Sequence, residues 1–133
     1  MEFKFPKNDD KYFWTNHVGG KMLYYRLSPD RVKRVIRIPY RSEKGIAPDT
    51  IAVMQPGKIS PAMLGKPDSW KEEIWVMYAT AKPRVKSEKF KSLNVLKKVI
   101  ITAWRYPGKS PIRDQIPIPV NILKELKEEG ILS

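Results

Sequence analysis

The sequence has no cysteine and only one histidine among its 133 residues. Without cysteine there is no disulfide framework, no thiolate nucleophile and no Cys-based zinc site. A single histidine, His17, also excludes a site built on two histidine ligands. No apolar run approaches the ~20 residues that span a bilayer, and no charged-then-apolar amino terminus marks a secretory signal. These absences predict a cytoplasmic protein that uses no metal and no cofactor and does not contact a membrane.

Two common catalytic motifs are missing as well. No glycine-rich loop with phosphate-binding spacing precedes a predicted helix, and no serine-nucleophile motif is found. Nucleotide hydrolysis and serine-based acyl transfer are therefore not expected. The hydrophobic share of 41% is typical of a globular chain, and the length is enough for one domain with a buried core.

Positive charge is the first feature that points to a partner. Lysine and arginine number 26 against 14 acidic residues, which gives a net charge of +12. Residues 1–50 carry a net +5 and residues 51–106 a net +7, whereas residues 107–133 are neutral. Such an excess is typical of proteins that bind a polyanion, most often nucleic acid. A protein that is basic for no functional reason is the alternative at this point.

The densest basic stretch lies between two strongly apolar segments, over residues 82–98. It contains only one acidic residue, Glu88. The stretch is interpreted as a flexible arm on a phosphate backbone or as a solvated loop that protects two strands from aggregation. Its candidate nucleic-acid-binding residues are Lys82, Arg84, Lys86, Lys89 and Lys91.

Capping residues locate the helices. A first helix is expected to begin after Trp14, with Thr15 or Asn16 as its cap and with Trp14, Val18, Met22 and Tyr25 on one apolar stripe. A second begins with Ser28 as its cap and Pro29 in its first turn, and ends before Pro39. Its apolar face is Val32, Val35 and Ile36, and three basic residues lie opposite. Those three are further candidates for phosphate contact, or else an ordinary solvated face: Lys33, Arg34 and Arg37.

Strands are predicted over 51–55, 73–81 and 99–106, and 40–47 is a candidate edge strand. Residues 56–71 are expected to form a loop. Residues 107–119 contain four prolines and form an extended connector to a last helix over 120–129, which Gly130 closes. The predicted fold is α+β: two amino-terminal helices on an antiparallel sheet of three to four strands, plus a carboxy-terminal helix. Residues 1–106 form one basic domain, and 107–133 form the connector and its amphipathic helix.

One stretch resembles a known group of domains. It runs from His17-Val-Gly-Gly-Lys-Met22 through Arg26-Leu-Ser28-Pro to the paired aliphatics of the second helix and Pro39. Together with the closing Ala103-Trp-Arg105, it is similar to small domains related to BrnT-type and RelE-type toxins, over about residues 14–106. The resemblance implies a RelE-like compact α+β fold, metal-independent RNA cleavage and an antitoxin-like protein partner.

RNA cleavage of this kind needs a base, an acid and cations, because RNA supplies the 2′-hydroxyl nucleophile. His17 is the candidate base, with Lys21 one helical turn away. A capping or hydrogen-bonding role for His17 is the alternative. Arg105 is the candidate that stabilises the phosphate, and its alternative is an ion pair with Glu72, Glu73 or Asp114.

The sequence therefore predicts a small nucleic-acid-binding protein, with RNA favoured over DNA. A metal-independent endoribonuclease on the same surface is the first alternative. A protein-interaction module that uses the carboxy-terminal helix is the second.

Overall fold

The computed structural model describes residues 5–60, 69–81, 97–111 and 115–132. Within these ranges a short strand and two helices are followed by six strands and a last helix. In order they are β1 (Tyr12–Trp14), α1 (Asn16–Tyr25), α2 (Pro29–Arg37), β2 (Arg41–Lys44), β3 (Thr50–Pro56), β4 (Ile59–Ser60), β5 (Ser69–Trp70), β6 (Glu72–Ala81), β7 (Lys97–Pro107) and α3 (Val120–Glu128). The expected α+β class with two amino-terminal helices and a carboxy-terminal helix is confirmed.

Five of these strands form one sheet in the order β1-β7-β6-β3-β2. All neighbours are antiparallel except β1, which runs parallel to β7. The strands β4 and β5 pair with each other in a separate two-stranded ribbon. The expected antiparallel sheet of three to four strands is therefore corrected to a mixed sheet of five, and the expected loop over 56–71 contains this ribbon at its two ends.

The strand β1 was not predicted as part of the sheet, because it is only three residues long and because Trp14 also fits the spacing of the helix that follows. Instead, Tyr12 and Trp14 are buried and Phe13 is exposed, the alternation of a strand. The side chain of Asp9 accepts hydrogen bonds from the backbone amides of Lys11 and Tyr12, both at 2.8 Å, and so holds the turn that leads into β1.

The two amino-terminal helices begin where their caps predict. The Thr15 hydroxyl accepts from the amide of Val18 at 3.1 Å, and the Ser28 hydroxyl accepts from the amide of Arg31 at 3.1 Å. α1 ends at Arg26, whose left-handed backbone (φ 56°) turns the chain so that α2 follows directly. Both helices therefore lie close to the sheet with little chain between them.

Each face of the sheet has its own core. The first face packs against α1 and α2, whose Val18, Met22, Val32 and Val35 are fully buried. The second face packs against α3, and Ile122 and Leu126 are fully buried there with the stacked rings of Trp75 and Trp104. The apolar stripe of α3 is thus used within this chain. No helix in the described ranges is long and apolar enough to cross a membrane.

Candidate nucleic-acid interface

A cluster of three arginines lies on the first face, at the end of the sheet where β3 and β7 finish and β6 starts. We call it the arginine cluster: Arg31, Arg34 and Arg105. Gln55, Ile74 and Arg105 are cross-strand partners, so Arg105 shares this face with α2. Arg31 and Arg34 come from neighbouring positions on α2, one turn apart.

Gln55 fixes α2 to this end of the sheet. Its side-chain oxygen accepts from Nη1 of Arg31, and its side-chain nitrogen donates to the carbonyls of Arg34 (3.2 Å) and Ile38 (2.6 Å). One amide side chain therefore satisfies carbonyls in the last turn of α2 and orients an arginine in its first turn. The placement of the arginines is a consequence of the fold and does not depend on flexible loops.

Arg105 closes the carboxyl end of α1. Its Nε donates to the carbonyl of Tyr25 at 2.7 Å and its Nη2 donates to the carbonyl of Arg26 at 3.3 Å, while Nη1 pairs with Glu72 at 3.0 Å. Of the two roles considered for Arg105, the structure shows the ion pair with Glu72. A guanidinium also interacts favourably with the negative end of a helix, so the position stabilises α1.

The electrostatics of the cluster are unbalanced. Burial lowers the pKa of Arg31, and the nearby guanidinium groups of Arg34 and Arg105 lower it further, whereas Glu72 offsets only part of the effect. An arginine remains charged under all ordinary conditions, so the lowered pKa reflects a guanidinium that is partly desolvated and lies near two like charges. The site is therefore one where an added anion would lower the free energy of the folded protein.

The other predicted binding residues lie at different places. Arg37 is exposed near the end of α2, while Lys33 turns to the opposite flank of the helix, its ammonium 5.2 Å from the ring centre of Tyr12. The three predicted basic residues of α2 thus do not form one patch, because Lys33 is directed towards β1 whereas Arg34 belongs to the arginine cluster. The basic residues Lys82, Arg84, Lys86, Lys89 and Lys91 lie outside the described residues.

His17 lies in a buried polar contact between α1 and α3. Its Nε2 is 2.8 Å from the hydroxyl of Thr102 and its Nδ1 is 3.2 Å from a carboxylate oxygen of Glu129, with the side chain 3% exposed. Lys21 is salt-bridged to Glu125 at 2.8 Å in the same contact. The structure brings His17 and Lys21 together here, but it gives Arg105 different partners, at the carboxyl end of α1.

A bulge in β7 makes this contact possible. Met77 pairs with Thr102 and Tyr78 pairs with Ile100, so Ile101 has no partner on β6. The extra residue places Thr102 on the second face of the sheet, where α3 packs. Its hydroxyl can therefore meet His17 at the sheet edge that α1 covers.

A second group of polar residues surrounds Glu73, which is fully buried on the second face. Its carboxylate accepts from the indole N–H groups of Trp70 and Trp75, both at 2.9 Å, and from the amide of Ser110 at 3.0 Å. Burial raises the pKa of Glu73, but hydrogen bonds from the hydroxyl and amide of Ser110 and from the two indoles outweigh it, so the pKa lies below its ordinary value.

The sequence analysis missed Arg31, Gln55 and the role of Glu73. The spacing of Arg31 and Arg34, three residues apart on a predicted helix, could have indicated a basic face. The residues that they meet on the sheet, Gln55 and Arg105, depend on strand register, which the sequence does not show.

Comparison with known proteins gives no match: no family model, no curated protein and no solved structure is similar to this chain.

Proposed function

We propose that this chain is a small RNA-binding protein that holds RNA by its phosphates, with little sequence preference. The observation that carries the proposal is the crowding in the arginine cluster. Glu72 pairs with Arg105, and the pKa of Arg31 is lowered first by burial and then by the nearby charges of Arg34 and Arg105, which Glu72 offsets only in part. A phosphate placed there would accept hydrogen bonds from guanidinium groups and would remove the repulsion.

The charge of the whole chain supports the same partner. The net charge of +12 is carried before residue 107, and the exposed Arg37 continues the positive charge of the arginine cluster along α2. A small cluster of cations is enough to bind a single phosphate, but an excess of positive charge spread over most of a chain is typical of proteins that bind a polyanionic polymer. We favour RNA over DNA because we propose, from the sequence pattern between His17 and Pro39, that residues 14–106 are related to BrnT-type and RelE-type toxins and share a RelE-like fold.

RNA cleavage is not part of the proposal. The ring of His17 is buried, and Thr102 and Glu129 occupy its two nitrogens, so a substrate would have to displace a structural contact to use it. Docking of a partner through α3 is not favoured either, since Ile122 and Leu126 are already buried against the sheet.

The proposal is tested by removing two exposed charges and comparing with a matched control. The double variant Arg34→Gln and Arg37→Gln removes two cations from α2. The control, Lys124→Gln and Lys127→Gln, removes two exposed cations from α3, on the other face of the sheet. Affinity for a short single-stranded RNA is measured by fluorescence anisotropy near physiological salt.

We expect the α2 variant to bind about tenfold more weakly or worse, because each charge-assisted hydrogen bond contributes more than 1 kcal/mol. The α3 control should change little, since exposed charges farther than ~8 Å from the ligand are screened at this salt. Equal losses in both variants would show only a general charge effect and would contradict the proposed site. Equal affinity for single-stranded DNA would redirect the proposal to nucleic acid in general.

A further inference from the structure

A cavity of about 250 Å³ opens on the second face of the sheet, beside the edge strand β2. It combines aromatic rings with cations above the buried carboxylate of Glu73. The lining residues are Tyr40, Arg41, Met54, Trp70, Lys109 and Ser110. This volume is slightly below the ~300–1,000 Å³ of cavities that hold drug-sized ligands, so it suits one ring system and not an extended ligand.

The cavity is held in a defined shape by Glu73. The carboxylate fixes the indole N–H of Trp70 and of Trp75, and each indole carries a cation against its ring. The ammonium of Lys109 is 4.7 Å from the ring centre of Trp70, and the guanidinium of Arg41 is 5.3 Å from that of Trp75. Arg41 also donates to the hydroxyl of Ser110 at 2.9 Å, and the amide of Ser110 donates to Glu73, so Ser110 connects Arg41 to the buried carboxylate.

Tyr40 supplies the accessible aromatic surface. It stands edge-on to Trp70, with ring centres 5.0 Å apart and an interplanar angle of 74°, and it is 52% exposed, whereas Trp70 is 8% exposed. A planar ligand can therefore lie against Tyr40, close to the cations that line the cavity. A flat, polar ring attached to a phosphate matches these features: aromatic faces stack on it and cations neutralise the phosphate.

The cavity and the arginine cluster are neighbours across the sheet. Two adjacent cross-strand rows carry them: one is Arg41, Met54, Trp75 and Trp104, and the next is Gln55, Ile74 and Arg105. Side chains of adjacent rows point to opposite faces of the sheet. Both sites thus lie at one end of the sheet. This end of the sheet exposes two further lysines, Lys58 and Lys71, besides Lys109 of the cavity.

From this arrangement we propose that the cavity binds an unpaired nucleobase of the RNA strand whose phosphates lie on the arginine cluster. The strand passes around the end of the sheet, and one base stacks on Tyr40 with the exposed Lys109 near its phosphate. Arg41 is 9% exposed and already paired with Glu43 at 2.9 Å, so it shapes the cavity wall. The inference rests on the proposed RNA-binding function and adds that the protein requires single-stranded RNA. A base inside a duplex is stacked and paired and cannot enter such a cavity.

The test compares two probes of equal charge: a short oligoadenylate, and an oligoribose phosphate of the same length without bases. Stacking on an aromatic side chain predicts that the wild type binds the oligoadenylate roughly 5- to 150-fold more tightly. Tyr40→Ala should remove most of this preference and leave affinity for the abasic probe unchanged. Tyr24→Ala, which removes an exposed tyrosine from α1, is the matched control and should keep the preference.

Each result has one meaning. If the wild type binds both probes equally, the base-binding cavity is wrong, while the proposed RNA binding stands. If the preference survives Tyr40→Ala, the base stacks elsewhere and the inference is also wrong. If neither probe binds, the proposed function fails and this inference fails with it. Thermal melting of each variant confirms that it is folded, which the exposure of both tyrosines leads us to expect.

Discussion

His17 and Glu73 are ionisable residues on the inside of the fold, and each joins segments that are distant in sequence. His17 connects α1 to Thr102 of β7 and to Glu129 just after α3. Glu73 connects the short strand β5, the strand β6 and the segment that follows β7. Buried polar groups of this kind are costly when a partner is lost, because the remaining groups stay desolvated.

We therefore expect His17 to stabilise the fold. We expect His17→Ala to lower the free energy of unfolding by about 1–3 kcal/mol, since it leaves the buried hydroxyl of Thr102 without its partner. RNA affinity of the folded protein should not change. The measurement is chemical denaturation of the variant together with anisotropy at a concentration where it is folded.

Thr102→Val supplies the control for this contact. It keeps the shape of the side chain and removes the hydroxyl, so the double variant should be destabilised by less than the sum of the two single changes. An unchanged free energy of unfolding in His17→Ala, combined with loss of an RNA-cleaving activity, would instead assign His17 the role of a catalytic base.

Glu73 gives stability a dependence on pH. Its pKa in the folded protein is lowered, so the unfolded chain takes up the proton first as the pH falls. Its contribution is complete above the ordinary glutamate pKa of about 4.3 and is lost as the pH falls through the lowered value. Glu73→Gln should cost about 1–3 kcal/mol at pH 7, because one accepting oxygen becomes a donor facing other donors.

The measurement is a series of denaturation curves between about pH 7 and pH 3. The difference in free energy of unfolding between the wild type and Glu73→Gln should shrink towards pH 3. Glu128→Gln, on the exposed side of α3, should follow the wild type throughout. Parallel curves for the wild type and Glu73→Gln would show that Glu73 is not bound as an ionised carboxylate.

At the scale of elements, local signals predicted the helices better than the sheet. The boundaries of α2 follow from Ser28, Pro29 and Pro39, and its buried face from Val32, Val35 and Ile36, all within one window of sequence. The strand β1 was not predicted as part of the sheet. Its three residues are held by parallel pairing with β7, about 85 residues later, and no local pattern encodes that partner.

The candidate site shows the same limit. Arg34 and Arg37 could be selected because helical periodicity places them opposite the apolar face of α2. The same periodicity places Arg31 one turn before Arg34, but its contact with Gln55 could not be predicted, because that contact depends on which row of β3 meets α2. The residues that line the cavity beside β2 come from four segments of the chain. The buried Glu73 beneath it cannot be distinguished in the sequence from its acidic neighbour Glu72.

At the scale of the whole molecule, positive charge is unevenly distributed along the chain. The helix α3 brings its own acidic residues, Glu125 and Glu129, to the contact with α1, and residues 107–133 are neutral overall. The surplus of positive charge therefore lies in residues 1–106, which contain the arginine cluster and the exposed Lys58 and Lys71 at the same end of the sheet. A polyanion is attracted to that part of the molecule in preference to α3.

This distribution predicts how binding responds to salt. For single-stranded RNA the logarithm of the association constant falls with the logarithm of salt concentration by about 0.7 for each phosphate neutralised. With about six phosphates bound, the slope for the wild type is about −4. The Arg34→Gln and Arg37→Gln variant should have a slope less negative by about 1.4, whereas Tyr40→Ala should weaken binding at an unchanged slope, because stacking releases no counterions. Anisotropy titrations at several salt concentrations measure all three slopes, and a flat response of the wild type would contradict phosphate binding altogether.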